Sequence, residues 1–168
     1  MKICMIGTGY VGLVSGVCFS DLGNKVYCVD KNENKINLLN TGKVPIFEPG
    51  LEEILKRNFK QKRLLFTSNL KLAVSNSDII FICVGTPTKK KSNSANLKYV
   101  YEVAHEIKKY IKKYKIIVTK STVPVTTGDK IEEILKNLKR RKLVDIVSNP
   151  EFLREGEAIR DFIYPDRV

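Results

Sequence analysis

Gly7-Thr8-Gly9-Tyr10-Val11-Gly12 is the stretch on which the fold turns. The apolar run Lys2–Ile6 before it reads as a strand, and residues 10–22 after it carry helical periodicity. Between a strand and a helix, G-x-G-x-x-G is the fingerprint of dinucleotide binding. Gly7 permits the tight turn, Gly9 lets backbone approach a pyrophosphate, and Gly12 lets helix pack on strand. The free N–H groups and partial positive charge of the helix start face the phosphates. Asp30 lies 18 residues beyond Gly12, at the end of the second apolar run. An acid there accepts the ribose hydroxyls of NAD and repels a 2′-phosphate, so NAD is favoured over NADP. Lys31 beside it keeps that preference from being absolute. A glycine turn used for packing alone is disfavoured by strand, helix and acid occurring together.

Outward from this loop, strand candidates recur at Lys25–Asp30, Leu64–Thr67, Asp78–Val84, Lys115–Thr119 and Leu143–Val147. They are continuously apolar rather than alternating, as in a parallel sheet covered on both faces. Helix candidates fall near 32–40, 50–60, 69–75, 97–113 and 127–140, with Asn96 as the expected N-cap of the fifth interleaved helix. Pro49 before Gly50-Leu51-Glu52-Glu53 marks a helix start with acids in its first turn. The expected architecture is α/β: a Rossmann-like, doubly wound, mainly parallel six-stranded sheet in the order 3-2-1-4-5-6, with helices on both faces. Residues 1–168 form one NAD-binding domain on this reading. The Lys- and Ser-rich patch at 89–94 reads as a mobile surface loop, and the last residues, from Tyr164, could begin another strand.

Composition excludes several classes. The 168 residues are 43% hydrophobic, with no apolar run approaching a membrane span and no signal-peptide pattern before the first strand. A soluble, cytoplasmic domain without a membrane role is expected. The formal net charge of +12 is carried mainly by lysines spread over polar helix faces. No nucleic-acid motif accompanies them, so a solvated surface is favoured over a polyanion-binding one, although salt-sensitive nucleic-acid binding is the competing expectation. Cys4, Cys18, Cys28 and Cys83 sit in apolar runs without C-x-x-C spacing, which predicts buried reduced thiols and no metal site. The lone His105 falls off the apolar stripe of its helix, leaving no histidine-based triad to build.

Three polar segments close the later strands. They are Val84-Gly85-Thr86-Pro87, Lys120-Ser121-Thr122-Val123-Pro124 and Ser148-Asn149-Pro150-Glu151-Phe152-Leu153-Arg154-Glu155-Gly156. In a doubly wound sheet all three share the ligand-binding edge with the glycine-rich loop. Short hydroxyl side chains followed by proline can line a nicotinamide site without filling it, although ordinary turn chemistry uses the same residues. In the last segment one carboxylate near a nicotinamide can act as a general base toward water. The other, Glu155, either bonds a ligand hydroxyl or caps a helix beginning near Leu153.

Taken together with Pro45-Ile46-Phe47-Glu48-Pro49-Gly50-Leu51, these segments resemble the N-terminal half of the UDP-glucose 6-dehydrogenases, a branch of the nucleotide-sugar 6-dehydrogenase family. The resemblance covers essentially the whole chain. It implies NAD contacts at Gly7, Gly9, Tyr10, Val11, Gly12, Asp30, Lys35, Thr86, Pro87, Ser121, Thr122 and Glu155. It implies that Glu151, Phe152, Leu153, Arg154 and Glu155 border UDP-glucose, Phe152 and Leu153 through backbone. Thr122 and Glu151 would hold the hydrolytic water, with Glu151 as its base. The implied chemistry takes a sugar C6 alcohol to UDP-glucuronate with two NAD, through a cysteine thioester.

Two departures from the family pattern stand out. Thr126 replaces a common glycine. The family's segment with the nucleophilic cysteine, and the long central helix with its lysine, lie beyond the residues present. Cys83 cannot substitute, since it falls inside the fourth apolar run. The central dimerisation helix and the UDP-sugar domain are thus absent from this chain, which is expected to be inactive alone; the full-length enzyme is expected to be a homodimer. GDP-mannose and UDP-N-acetyl-hexosamine 6-dehydrogenases are the alternatives within the family, and a non-catalytic NAD-binding module is the alternative outside it.

Overall fold

The computed structural model describes residues 1–89 and 94–168. Six strands form one sheet: β1 (Lys2–Ile6), β2 (Lys25–Val29), β3 (Leu64–Thr67), β4 (Ile79–Ile82), β5 (Lys115–Thr119) and β6 (Val144–Ser148). Every pairing is parallel and the order is β3-β2-β1-β4-β5-β6, as the sequence pattern predicts. The helices are α1 (Tyr10–Asp21), α2 (Glu33–Asn40), α3 (Leu51–Lys60), α4 (Leu70–Asn76), α5 (Lys98–Lys108), α6 (Thr127–Arg140) and α7 (Ala158–Ile163).

The apolar runs bury both faces of the sheet, producing two cores. One gathers Ile80, Ile82 and Ile117 under α5 and α6, around Val103, Ile107, Ile131 and Leu135. The other gathers Met5, Cys28 and Phe81 with Leu13, Val17 and Leu55 of α1 and α3. All four cysteines are free and buried there, as their apolar setting predicts. Among the described residues no helix is long and apolar enough to cross a membrane.

Several boundaries differ from the pattern, each with a local cause. β4 ends at Ile82, because the chain beyond Cys83 turns to meet the β5 loop, where the Ser121 hydroxyl bonds Val84 O at 2.7 Å. β6 starts at Val144, after a turn in which Lys142 adopts φ 54°. Asn96 accepts the Lys98 N–H at 3.1 Å, but Leu97 holds the N-cap position, so the asparagine acts one residue early. Gly50, at φ 79°, starts α3 with Glu52 and Glu53 in its first turn. Thr126 sits in the ordinary right-handed region (φ −73°), so that turn needs no glycine. Residues 165–168 carry no strand. The centre of the Lys- and Ser-rich patch, 90–93, lies outside the described residues.

The largest difference is at the end. A helix near Leu153 does not form; residues 151–157 run as loop and turn, and α7 starts only at Ala158. Gly156 at φ 89° breaks any earlier helix, and the Glu151 carboxylate takes the Leu153 N–H at 2.7 Å. α7 then docks on α1 through an edge-to-face contact between Phe162 and Phe19.

Candidate functional site

The glycine-rich loop is held by its own sterics. Gly7 has φ 100°, and a Cβ there would lie 2.7 Å from Cys83 O. A Cβ at Gly12 would lie 1.9 Å from Gly7 O, so helix and turn can close only without it. Gly9 has nothing within 4 Å of a virtual Cβ. It opens onto a cleft of about 1030 Å³ that runs past Asp30 and Lys35 to Val84 and Gly85.

Asp30 is fastened to this loop. Its Oδ2 accepts the Thr8 N–H at 3.0 Å and the Thr8 hydroxyl at 2.7 Å, and its Oδ1 accepts the Asn32 N–H at 3.0 Å. Lys35 reaches the same carboxylate at 3.2 Å. Burial pushes the Asp30 carboxyl upward, but the Asn32 and Thr8 hydrogen bonds and the Lys35 charge outweigh it, so the acid is held below its ordinary value. Asp30 is therefore a fixed anion beside the mouth of the loop. Asn32 caps α2 by accepting the Lys35 N–H at 3.1 Å, which places that lysine. The opposite wall of the cleft comes from α5, through Tyr99, Glu102 and Val103. His105 is exposed along that wall.

The polar segments meet at the same edge. The Thr86 hydroxyl donates to Thr122 O at 3.2 Å, joining the loops after β4 and β5 beside Pro87. Ser121 is buried, its hydroxyl committed to Val84 O. Lys120, next to it, is buried, with its ammonium 3.2 Å from Asn149 Oδ1. Burial lowers the Lys120 pKa, against the opposing influence of Cys83 and Glu151. The amine thus lies under the start of the Glu151 loop, in electrostatic contact with its carboxylate. Lys120 lines a second cavity of about 370 Å³, together with Asn149, Glu151, Phe152 and Leu153.

Arg154 is paired rather than free: its guanidinium spans both Asp161 oxygens at 3.0 and 2.6 Å, and its N–H donates to Oδ2 at 2.9 Å. The Leu153 N–H is taken by Glu151, so a ligand reaching that backbone group competes with the carboxylate. Phe152 is exposed, with the Arg167 guanidinium 5.4 Å from its ring centre. Glu155 caps nothing; the N-cap position of α7 is Glu157, which makes no side-chain cap bond. Tyr10 is half-buried at the start of α1, its hydroxyl donating to Glu48, with Val11 half-buried beside it. Burial and that hydrogen bond, with a smaller contribution from Glu155, push the Tyr10 phenol up to about 12.

Cys83 lies one residue past β4, 7% exposed, and burial pushes its thiol up to about 12. A thiol so placed carries negligible thiolate at neutral pH. Thr8, Glu48 and Lys120 border the site from inside the quoted segments, yet the sequence reading gave none of them a role of its own. Their only sequence signal is being polar within those segments.

Comparison with known proteins places this geometry. Residues 1–168 match the NAD binding domain of the UDP-glucose/GDP-mannose dehydrogenase family. A UDP-glucose 6-dehydrogenase of Rhizobium meliloti is 55% identical over 168 residues, covering all of this chain and 38% of that protein. The UDP-glucose 6-dehydrogenase TuaD of Bacillus subtilis is 51% identical, with 99% and 36% covered. Among solved structures, a GDP-mannose dehydrogenase ternary complex from Pseudomonas aeruginosa superposes with a TM-score of 0.92 at 40% identity, over 98% of this chain and 39% of the other. The chain thus spans under two fifths of the length of these relatives.

Proposed function

The chain belongs to the UDP-glucose/GDP-mannose dehydrogenase family, whose NAD-binding domain it forms, and on that premise we propose that it serves the oxidation of UDP-glucose to UDP-glucuronate. NAD is the cofactor. The observation that carries the proposal is the meeting, at one sheet edge, of the glycine-rich loop with Asp30, the joined Thr86 and Thr122 loops, and the Glu151 segment tied to Lys120 through Asn149.

Bound NAD supplies a hydride acceptor, and two are consumed per sugar. The C6 alcohol loses a hydride and a proton to become an aldehyde. A thiolate adds to that carbonyl, a second hydride leaves to give a thioester, and water releases the carboxylate and regenerates the thiol. A cysteine suits this route because a thioester is readily hydrolysed. None of the four cysteines here fits the role: all are buried in the cores. The nucleophile is assigned to a part of the longer enzyme outside these residues, as are the central helix that pairs two subunits and the remaining UDP-sugar contacts.

For its share, this chain holds NAD with Asp30 at the adenine-side ribose and Gly9 at the pyrophosphate. Lys35, Thr86, Pro87, Ser121, Thr122 and Glu155 complete the cofactor wall. Glu151 accepts a proton from water held with Thr122, and residues 151–155 border the sugar. The setting is cytoplasmic. A GDP-mannose substrate is the second reading, favoured by the GDP-mannose dehydrogenase likeness at TM-score 0.92. Incubating the purified chain with UDP-glucose and NAD should give saturable NAD binding, with amide shifts at Gly9, Asp30, Thr86 and Thr122, and no NADH. Steady NADH formation would overturn the division of labour, and absence of those shifts would overturn the site.

A further inference from the structure

Glu48 is a buried carboxylate, 6% exposed, in the loop between α2 and α3. Among the described residues it has no ion-pair partner. Three hydrogen bonds hold it instead: the Tyr10 hydroxyl, the Gly156 N–H at 2.8 Å and the Ile159 N–H at 3.3 Å. Burying an anion is unfavourable unless its oxygens are satisfied, and here the donors come from chain segments 38, 108 and 111 residues away. Tyr10 opens the helix of the glycine-rich loop, and Gly156 directly follows Glu155. The Tyr10 hydroxyl also accepts the Gly156 N–H at 3.1 Å, closing a three-membered cluster.

We propose that Glu48 is a positioning residue that latches the Glu155–Gly156 turn onto the first turn of α1 and so sets Glu155 at the nicotinamide end of the cofactor site. The assignment deepens the NAD reading above and rests on it: Glu155 belongs to the cofactor wall there, and it follows β6, on the other side of β1 from Asp30 and the adenine-side ribose. Gly156 is not helical: its φ of 89° turns the chain there, and its N–H is given to Glu48 and the Tyr10 hydroxyl. The N–H of Ile159, in the first turn of α7, is an orphan donor of a helix start, and Glu48 satisfies it from a distance. One side chain thereby fixes both the turn carrying Glu155 and the helix behind it.

The test uses Glu48→Gln in the full chain, because glutamine keeps the volume but presents only one acceptor oxygen. Hydrogen exchange of the Gly156 and Ile159 amides should speed up about tenfold or more, as expected when a local latch opens. NAD affinity should fall about five- to tenfold, while affinity for ADP, which ends at the pyrophosphate, should stay within about twofold. Tyr10→Phe, which removes one of the three donors, should give smaller changes of the same kind. Unchanged exchange at both amides in Glu48→Gln would overturn the latch. Equal losses for NAD and ADP would overturn the positioning role in favour of a merely structural one. Failure of the wild-type chain to bind NAD would sink the cofactor reading and the role toward Glu155 with it, while the exchange arm would still judge the latch separately.

Discussion

Residues whose role is fixed by backbone geometry are the ones the sequence displays. Gly7, Gly9 and Gly12 have forced spacing, and Asp30 follows at the distance one helix and one strand require. Glu48 and Lys120 are not legible in the same way: an acid between two prolines and a lysine at a strand end look like surface residues until their burial is seen. Nor does Arg154 announce Asp161, seven residues on, as its partner. That pair carries a pH prediction. Its hydrogen bonds and the Arg154 charge bring the Asp161 carboxyl down to about 2, below its ordinary 3.8. A lowered folded-state value means stabilisation that is complete above the ordinary value and lost as pH falls through the folded one. Asp30 is shifted in the same direction, so stability should decline as pH drops from about 4 toward about 2. Carbon-detected NMR titration should find the Asp161 midpoint near 2, and Arg154→Gln should return it to the usual carboxylate range. An unmoved midpoint would contradict the pairing.

Elements were legible where periodicity runs long. The order of six strands follows from continuously apolar runs separated by helical ones, since parallel strands need crossovers and those crossovers have a fixed hand. The short α7 was invisible because its six residues carry no capping side chain of their own; its support comes from Glu48 and from Phe162 on Phe19. Close approach of α1 to the sheet also escaped the motif, since it depends on Gly16, beyond the fingerprint. A Cβ there would lie 2.6 Å from Cys28 Sγ and 3.2 Å from Met5 Cγ. Gly16→Ala would gain about 0.8–1 kcal/mol of helix propensity. Overpacking typically costs about 1–3 kcal/mol, so the variant should be destabilised overall. Chemical denaturation checks this, and adding Cys28→Ala should recover part of the loss. A Gly16→Ala protein as stable as the parent would show that α1 can lift without penalty.

At the scale of the whole molecule, the glycine-rich loop, Asp30 and the three later loops converge because every strand of a parallel sheet ends at the same edge. That convergence was readable in advance. The internal pairing that fills the edge was not, since it depends on which side chains bond to one another and which stay open to a ligand. The net charge of +12 adds a field that draws any dinucleotide, phosphorylated at the ribose or not, so charge alone cannot select NAD. On the proposed reading, selection falls to the fixed Asp30 carboxylate. Calorimetric titration of the chain with NAD and with NADP, repeated with Asp30→Asn, tests this most directly. The predicted result is saturable binding of NAD about tenfold or more tighter than NADP, with the gap closing in the Asp30 variant. Equal affinity for the two dinucleotides, or a preference that survives Asp30→Asn, would contradict it.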